Sequence, residues 1–169
     1  MITPEYCRLM ARYNAWQNRQ LEKALQDTTS EQLTADHGAF FGSILGTLNH
    51  ILWGDGMWMS RFDTSVERPQ GTIPESRDLF PTLGTWSAER FRMDGLIGQW
   101  AARLKTVDLE DTFSFHSSVL KGEVTRAIAP CVVHMFNHQT HHRGQVHAMM
   151  TRAGLDAPVS DIFLMPEDA

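Results

Sequence analysis

The densest chemistry in the chain lies between residues 134 and 147, HMFNHQTHHRGQVH, which holds five of its eight histidines. Neutral imidazole is the commonest protein ligand for transition metals and titrates near neutral pH, so such a run points to metal binding or proton transfer. On a helical wheel the surrounding apolar residues Cys131, Val132, Met135, Val146, Met149 and Met150 form one stripe. His142 falls inside that stripe and His138 at its edge. His134 and His141 lie further out, and His147 sits on the far flank. His138 and His142 are therefore the pair best aimed at an interior. Four residues apart, they stand about 6 Å from each other along a helix axis and can share one ion. They can equally be satisfied by carboxylates or backbone groups, because an unpaired polar group in a core costs about 1–3 kcal/mol. Periodicity leaves the two readings level. Gln139 and Arg143 also fall on the apolar side, a blemish in the pattern.

Two histidines hold a transition metal weakly, so a third ligand must come from another helix. His37 precedes a helical segment and His116 lies in an irregular one, so both read as solvated. His50 stands inside LNHILWGDGMW, where Ile44, Leu48, Ile51, Leu52, Met59 and Phe62 make the stronger apolar stripe. His50 points away from that stripe and Asp55 lies within it. Trp53 and Met57 share the side of His50, so this segment is apolar on two faces. His50 and Asp55 thus remain rival third ligands on the wheel. A zinc protease of the HExxH type is excluded, because Gln139 occupies the place of the glutamate and an amide cannot act as general base. The chain carries no Ser-His-Asp order, P-loop or dinucleotide fingerprint. Asp55, His141 and Arg143 are the polar groups nearest the ligands in sequence, and none is assigned a catalytic role.

Four helical segments must position these residues. The first follows the N-cap pair Thr3-Pro4 and runs to about Gln26; the second opens at Gly42-Ser43 and runs to about Phe62. The third covers about Thr82 to Lys105, and the fourth runs from about Ala127 to Arg152 and stops at Gly154. Between Leu109 and Arg126 the pattern predicts a short hairpin or extended excursion turning at Lys121-Gly122. The expected architecture is one all-α domain over residues 1–169, a four-helix bundle. Ser65 to Pro81, with Pro69, Gly71 and Pro74, forms a long connection that lets the second and third helices run in the same direction as a crossover. The tail is expected to cover the bundle with Ile162, Phe163 and Leu164. The five tryptophans read as core or interface packing, and Gly144 predicts a close helix approach.

Composition bounds the function. With 169 residues, 42% hydrophobic and 21% charged, the chain can bury one core, which excludes a disordered reading. Lys plus Arg number 15 against 20 Asp plus Glu, a net charge of -5 that disfavours nucleic acid and anionic membrane surfaces as partners. Cys7 and Cys131 lie far apart and read as reduced thiols. The opening MITPEYCRLMARYNAW lacks a signal-peptide stretch, and no window approaches the ~20 apolar residues of a membrane span. A soluble, cytoplasmic protein is expected.

The strings GAFFGSILGTLNHILWGDGMWMSRF and HMFNHQTHHRGQVHAMMTRAGL, with YNAWQNRQL near the amino terminus, resemble the DinB family of the DinB/YfiT-like superfamily. The resemblance covers nearly the whole chain and implies a four-helix bundle with a long second connection, usually as a homodimer. It also implies a metal bound by one histidine of the second helix and two of the last: His50, His138 and His142. That chooses His50 over Asp55, and suggests that the second apolar face of the His50 helix packs on another subunit. Three imidazoles leave an open position on a divalent ion, built for water, substrate or a thiolate. Zinc and nickel accept all of these donors. The expectation is a metal-dependent hydrolase or a thiol-dependent S-transferase, the latter suggested by the wider superfamily, acting with a low-molecular-weight thiol or another small molecule. The alternative is a non-catalytic metal-binding or stress-response protein.

Overall fold

The computed structural model describes residues 1–169. Four long helices dominate it: α1 (Pro4–Leu25), α3 (Ile44–Phe62), α4 (Leu83–Arg103) and α6 (Ile128–Arg152), with short α2 (Ser30–Thr34) and α5 (Thr106–Glu110) between them. Strands β1 (Thr112–Ser117) and β2 (Gly122–Ala127) pair antiparallel, Phe115 opposite Val124. The all-α expectation is corrected accordingly: the chain is mostly helical with one small sheet. Local chemistry sets the boundaries. The Thr3, Ser43 and Thr82 side chains accept the backbone N–H groups of Tyr6, Gly46 and Thr85, each satisfying an otherwise unpaired first-turn donor. Lys121 turns the hairpin at φ 54°, and Gly154 ends α6 at φ 72°. Short α2 gives no usable periodicity, but Thr29 and Gln32 form its capping box.

Helix directions follow from which residues meet. Trp86 donates its indole N–H to the Leu48 carbonyl at 3.1 Å, and further along Trp100 stacks on Phe62, so α3 and α4 run the same way. The long connection is therefore a crossover. His50 lies beside His142, and Trp58 beside His134, so α3 and α6 run in opposite directions. Asn18 meets Asp94 and Glu22 meets Ser87, which sets α1 antiparallel to α4.

The core holds Leu25, Ile44, Leu48, Met59, Trp86, Ile97, Val132, Met135, Phe136, Val146 and Met150, all but inaccessible to solvent. Through it passes a polar chain. Asn18 of α1 donates to Asp94 of α4 at 3.0 Å, and Asp94 pairs with Arg90 at 2.9 Å. Arg90 pairs with Asp55 of α3 at 2.5 Å, and Asp55 accepts from Gln139 of α6 at 2.8 Å. All four long helices are pinned at one level. Asp55 and Gln139, each out of place in its own apolar stripe, answer one another.

Residues 44–57 of α3 are buried throughout. The second apolar face of α3 is covered by its own chain: Trp53 donates to the Gln70 carbonyl at 2.9 Å, and Pro69 lies against Gly56. Two expectations fail. Ile162, Phe163 and Leu164 are exposed; the tail is tied down instead by polar groups of α1, with Tyr13 donating to the Ser160 carbonyl at 2.6 Å and Gln17 to that of Val159 at 3.0 Å. A side chain at Gly144 would meet nothing, so no helix approaches closely there. Cys7 and Cys131 are both buried and unbridged. No helix is long and apolar enough to cross a membrane.

Candidate metal centre

His50 on α3 and His138 and His142 on α6 converge, and one nitrogen from each lies within 4.8 Å of the others. His50 is placed by the burial of α3 on all sides. His138 and His142 stand one above the other because they are one helical turn apart. Gly54, one turn beyond His50, makes the approach possible: a Cβ there would fall 2.7 Å from Cε1 of His138. Phe41 stacks on His50 with 3.7 Å between ring centroids and closes one side.

Neighbours fix the protons on two of the three rings. Ser76, in the short helical turn Glu75–Asp78 of the long connection, donates its own proton to the Ile73 carbonyl at 2.6 Å. Its oxygen is left to accept from Nδ1 of His50 at 2.9 Å. Gln145 donates its amide N–H to His141, and its oxygen accepts from Nδ1 of His142 at 2.8 Å. Both rings therefore carry Nδ1–H and present the lone pair of Nε2. This is the outer-shell arrangement that orients metal-ligating imidazoles. His50 Nε2 lies 3.1 Å from His138 Nε2, close to the spacing of about 3.3 Å between nitrogens on one tetrahedral zinc. Nδ1 of His138 is buried without a partner.

Burial pushes His50 and His138 down to about 3, reinforced in both by the nearby His142, and burial lowers His142 as well. Neutral imidazole is the form that coordinates metal. The donor set, its neutral form and its spacing are those of a group that could hold a metal ion. Asp55 does not belong to it, since both its oxygens are engaged by Arg90 and Gln139. His116 is exposed beside Glu123, and His37 lies outside the cluster.

The cluster lines a cleft of about 570 Å³. Its walls come from α3, α6, Phe40 and Phe41 of the loop before α3, and the hairpin residues Phe115, Ser117 and Val119. Trp53 and Trp58, expected only as packing, line this cleft, as do Met57 and Arg61. The sequence signal for them was the second apolar face of the His50 helix.

Fold and site together define a helical protein with a histidine trio suited to holding a metal ion, set in an open cleft. The DinB family model matches residues 1–169, and the chain belongs to that family. Protein DinB of Bacillus subtilis (strain 168) is 24% identical over 165 residues, covering 90% of this chain and 88% of the relative. The crystal structure of a DinB-like protein from Bacillus cereus ATCC 10987 superposes with a TM-score of 0.62 at 18% identity. That match covers 85% of this chain and 89% of the other, and it supports the fold.

Proposed function

We propose that His50, His138 and His142 hold one divalent transition-metal ion, zinc or nickel, as the reaction centre of a metal-dependent enzyme. The supporting observation is the convergence of three neutral imidazoles in a cleft large enough for a small molecule. When bound, the ion supplies Lewis acidity, which lowers the pKa of a nucleophile and leaves room for one beside three protein ligands. Every other part is the work of the chain. Ser76 and Gln145 hold the His50 and His142 tautomers, Gly54 admits His138, and Phe41 shields one face of His50 from water.

The reaction is the attack of water or a low-molecular-weight thiol on a small electrophile, making the protein a hydrolase or a thiol S-transferase. A cleft beside the trio favours this over a closed structural site, which would use four protein ligands. We read the four long helices as a four-helix bundle with residues 63–82 as its crossover, and propose a cytoplasmic homodimer, to be checked by sedimentation.

Purified protein is expected to contain close to one divalent ion per chain by elemental analysis. The double change His138→Ala with His142→Ala removes it. Full metal content in that variant would refute the ligand assignment. The loaded protein, screened with esters and amides and with thiols plus electrophiles, is expected to turn over at least one class. Uniform inactivity at confirmed occupancy would leave a metal-binding protein without catalysis.

A further inference from the structure

In a chain of net charge -5, the cleft beside the histidine trio is lined by no aspartate or glutamate. Its one arginine or lysine is Arg61, at the end of α3. The Arg61 side chain makes no ion pair and no hydrogen bond within the protein. Arg90, Arg92 and Arg103, by contrast, each meet a carboxylate. Arg61 is held by rings instead: its guanidinium carbon lies 4.6 Å from the Trp58 ring centre and 4.3 Å from that of Phe115. The two rings are inclined at 72° to one another and neither replaces a carboxylate, so the guanidinium N–H groups, which suit a carboxylate in two parallel hydrogen bonds, have no acceptor within the protein. Asp63, Asp108 and Asp111 lie in the groove on the other side of Arg61, and none pairs with it; Asp63 is engaged by Arg103 at 2.7 Å. Burial, then the neighbouring Arg68, weigh against the charge of Arg61, and only Cys131 acts in the opposite sense. A cation in this state gains more than usual from an incoming anion.

Away from the histidines, Ser117, Ser118 and Gln145, the cleft offers an apolar wall. Phe40 on one side and Val119 on the other are 79% and 75% exposed, and Trp53, Met57 and Ile73 lie between. Arg61 and the histidine trio line the same cleft. The Trp58 ring that carries Arg61 is 5.2 Å from the His134 ring, which is 5.9 Å from that of His138.

We propose that the cleft takes a small molecule with an apolar or aromatic body and a carboxylate or equivalent anionic group, and that Arg61 anchors the anion. This deepens the proposed function and rests on it for the placing of the reaction centre, while the anion site itself stands on Arg61 and the cleft walls.

The test uses 3-phenylpropionate and its neutral counterpart 3-phenylpropionamide as probes, with binding followed by NMR titration. Metal-free protein is used first, so that no ion can attract the carboxylate. Wild type is expected to bind the carboxylate at least tenfold more tightly than the amide. R61Q is expected to lose that preference while binding the amide within twofold of wild type, and R61K, which keeps the charge but loses the planar guanidinium, to retain part of it. The proposal is overturned if wild type fails to bind the carboxylate, shows no preference for it, or keeps its preference in R61Q. Zinc and nickel uptake, measured after the same proteins are reloaded with each ion, separates the two claims. R61Q with full zinc supports an anchor distinct from the ligands, and loss of zinc there would overturn that distinction. An Arg61-dependent preference in a wild type that takes up neither zinc nor nickel would sustain the anion site and end the metal reading.

Discussion

At the scale of single residues, the site depends as much on hydrogen-bond partners as on ligands. Ser76 donates its hydroxyl hydrogen bond to a backbone carbonyl, which leaves its oxygen as an acceptor for His50. Removing such an outer-shell partner commonly costs 10–100-fold in metal affinity. Ser76→Ala is expected to lower zinc affinity by roughly tenfold, measured by competition with a chelator, with one ion per chain still bound at saturation. Unchanged affinity would mean that the His50 tautomer needs no support. His138 and His142 were legible from the wheel, because residues one turn apart share a face. Ser76 was not, because only the fold of the long connection brings it to His50, across 26 positions of sequence.

At the scale of elements, the polar chain from Asn18 to Gln139 decides how the helices register. Each member is a defect in its own helix and acquires a reason only through its partner. Asp55 is fully buried, and deleting one partner of a buried ion pair typically costs 3–5 kcal/mol. Because Arg90 keeps Asp94, Asp55→Ala is expected at the lower end, about 3 kcal/mol, by urea denaturation. Metal content per folded chain should not change. A folded Asp55→Ala protein lacking metal would restore Asp55 as the third ligand. The wheel left Asp55 and His50 as rivals because it reads one helix at a time, whereas α3 is buried on every side over residues 44–57. Resemblance to the family chose His50; in the structure Asp55 is saturated by Arg90 and Gln139, and His50 faces two other imidazoles.

At the scale of the whole molecule, gathering three imidazoles beneath one cleft makes folding sensitive to pH. His50 and His138 titrate near 3 in the native state, chiefly through burial, against about 6.5 when unfolded. Between those values the unfolded chain binds protons that the native state refuses. Stability is therefore complete above about pH 6.5, falls as the pH drops through that window, and levels off below about 3 with respect to these groups. Each histidine contributes a slope of at most about 1.4 kcal/mol per pH unit. Metal-free wild type is expected to lose stability between pH 7.5 and 5 in urea titrations. The His138→Ala, His142→Ala variant should lose distinctly less, and equal losses would show that the trio is not the source.

The sequence by itself determined the local features: four helices from their caps and periodicity, a hairpin turning at Lys121-Gly122, and the pairing of His138 with His142 on one helix face. These depend on neighbours within a few residues, where backbone sterics and one-turn spacing dominate. Tertiary structure alone decided the parallel course of α3 and α4, the saturation of Asp55, the support of His50 by Ser76, the exposure of Phe163, and the gathering of Trp58, Arg61 and the hairpin around one cleft. Each joins residues distant along the chain, and whether a buried polar side chain becomes a structural clamp or a ligand is settled by what the opposite helix places against it.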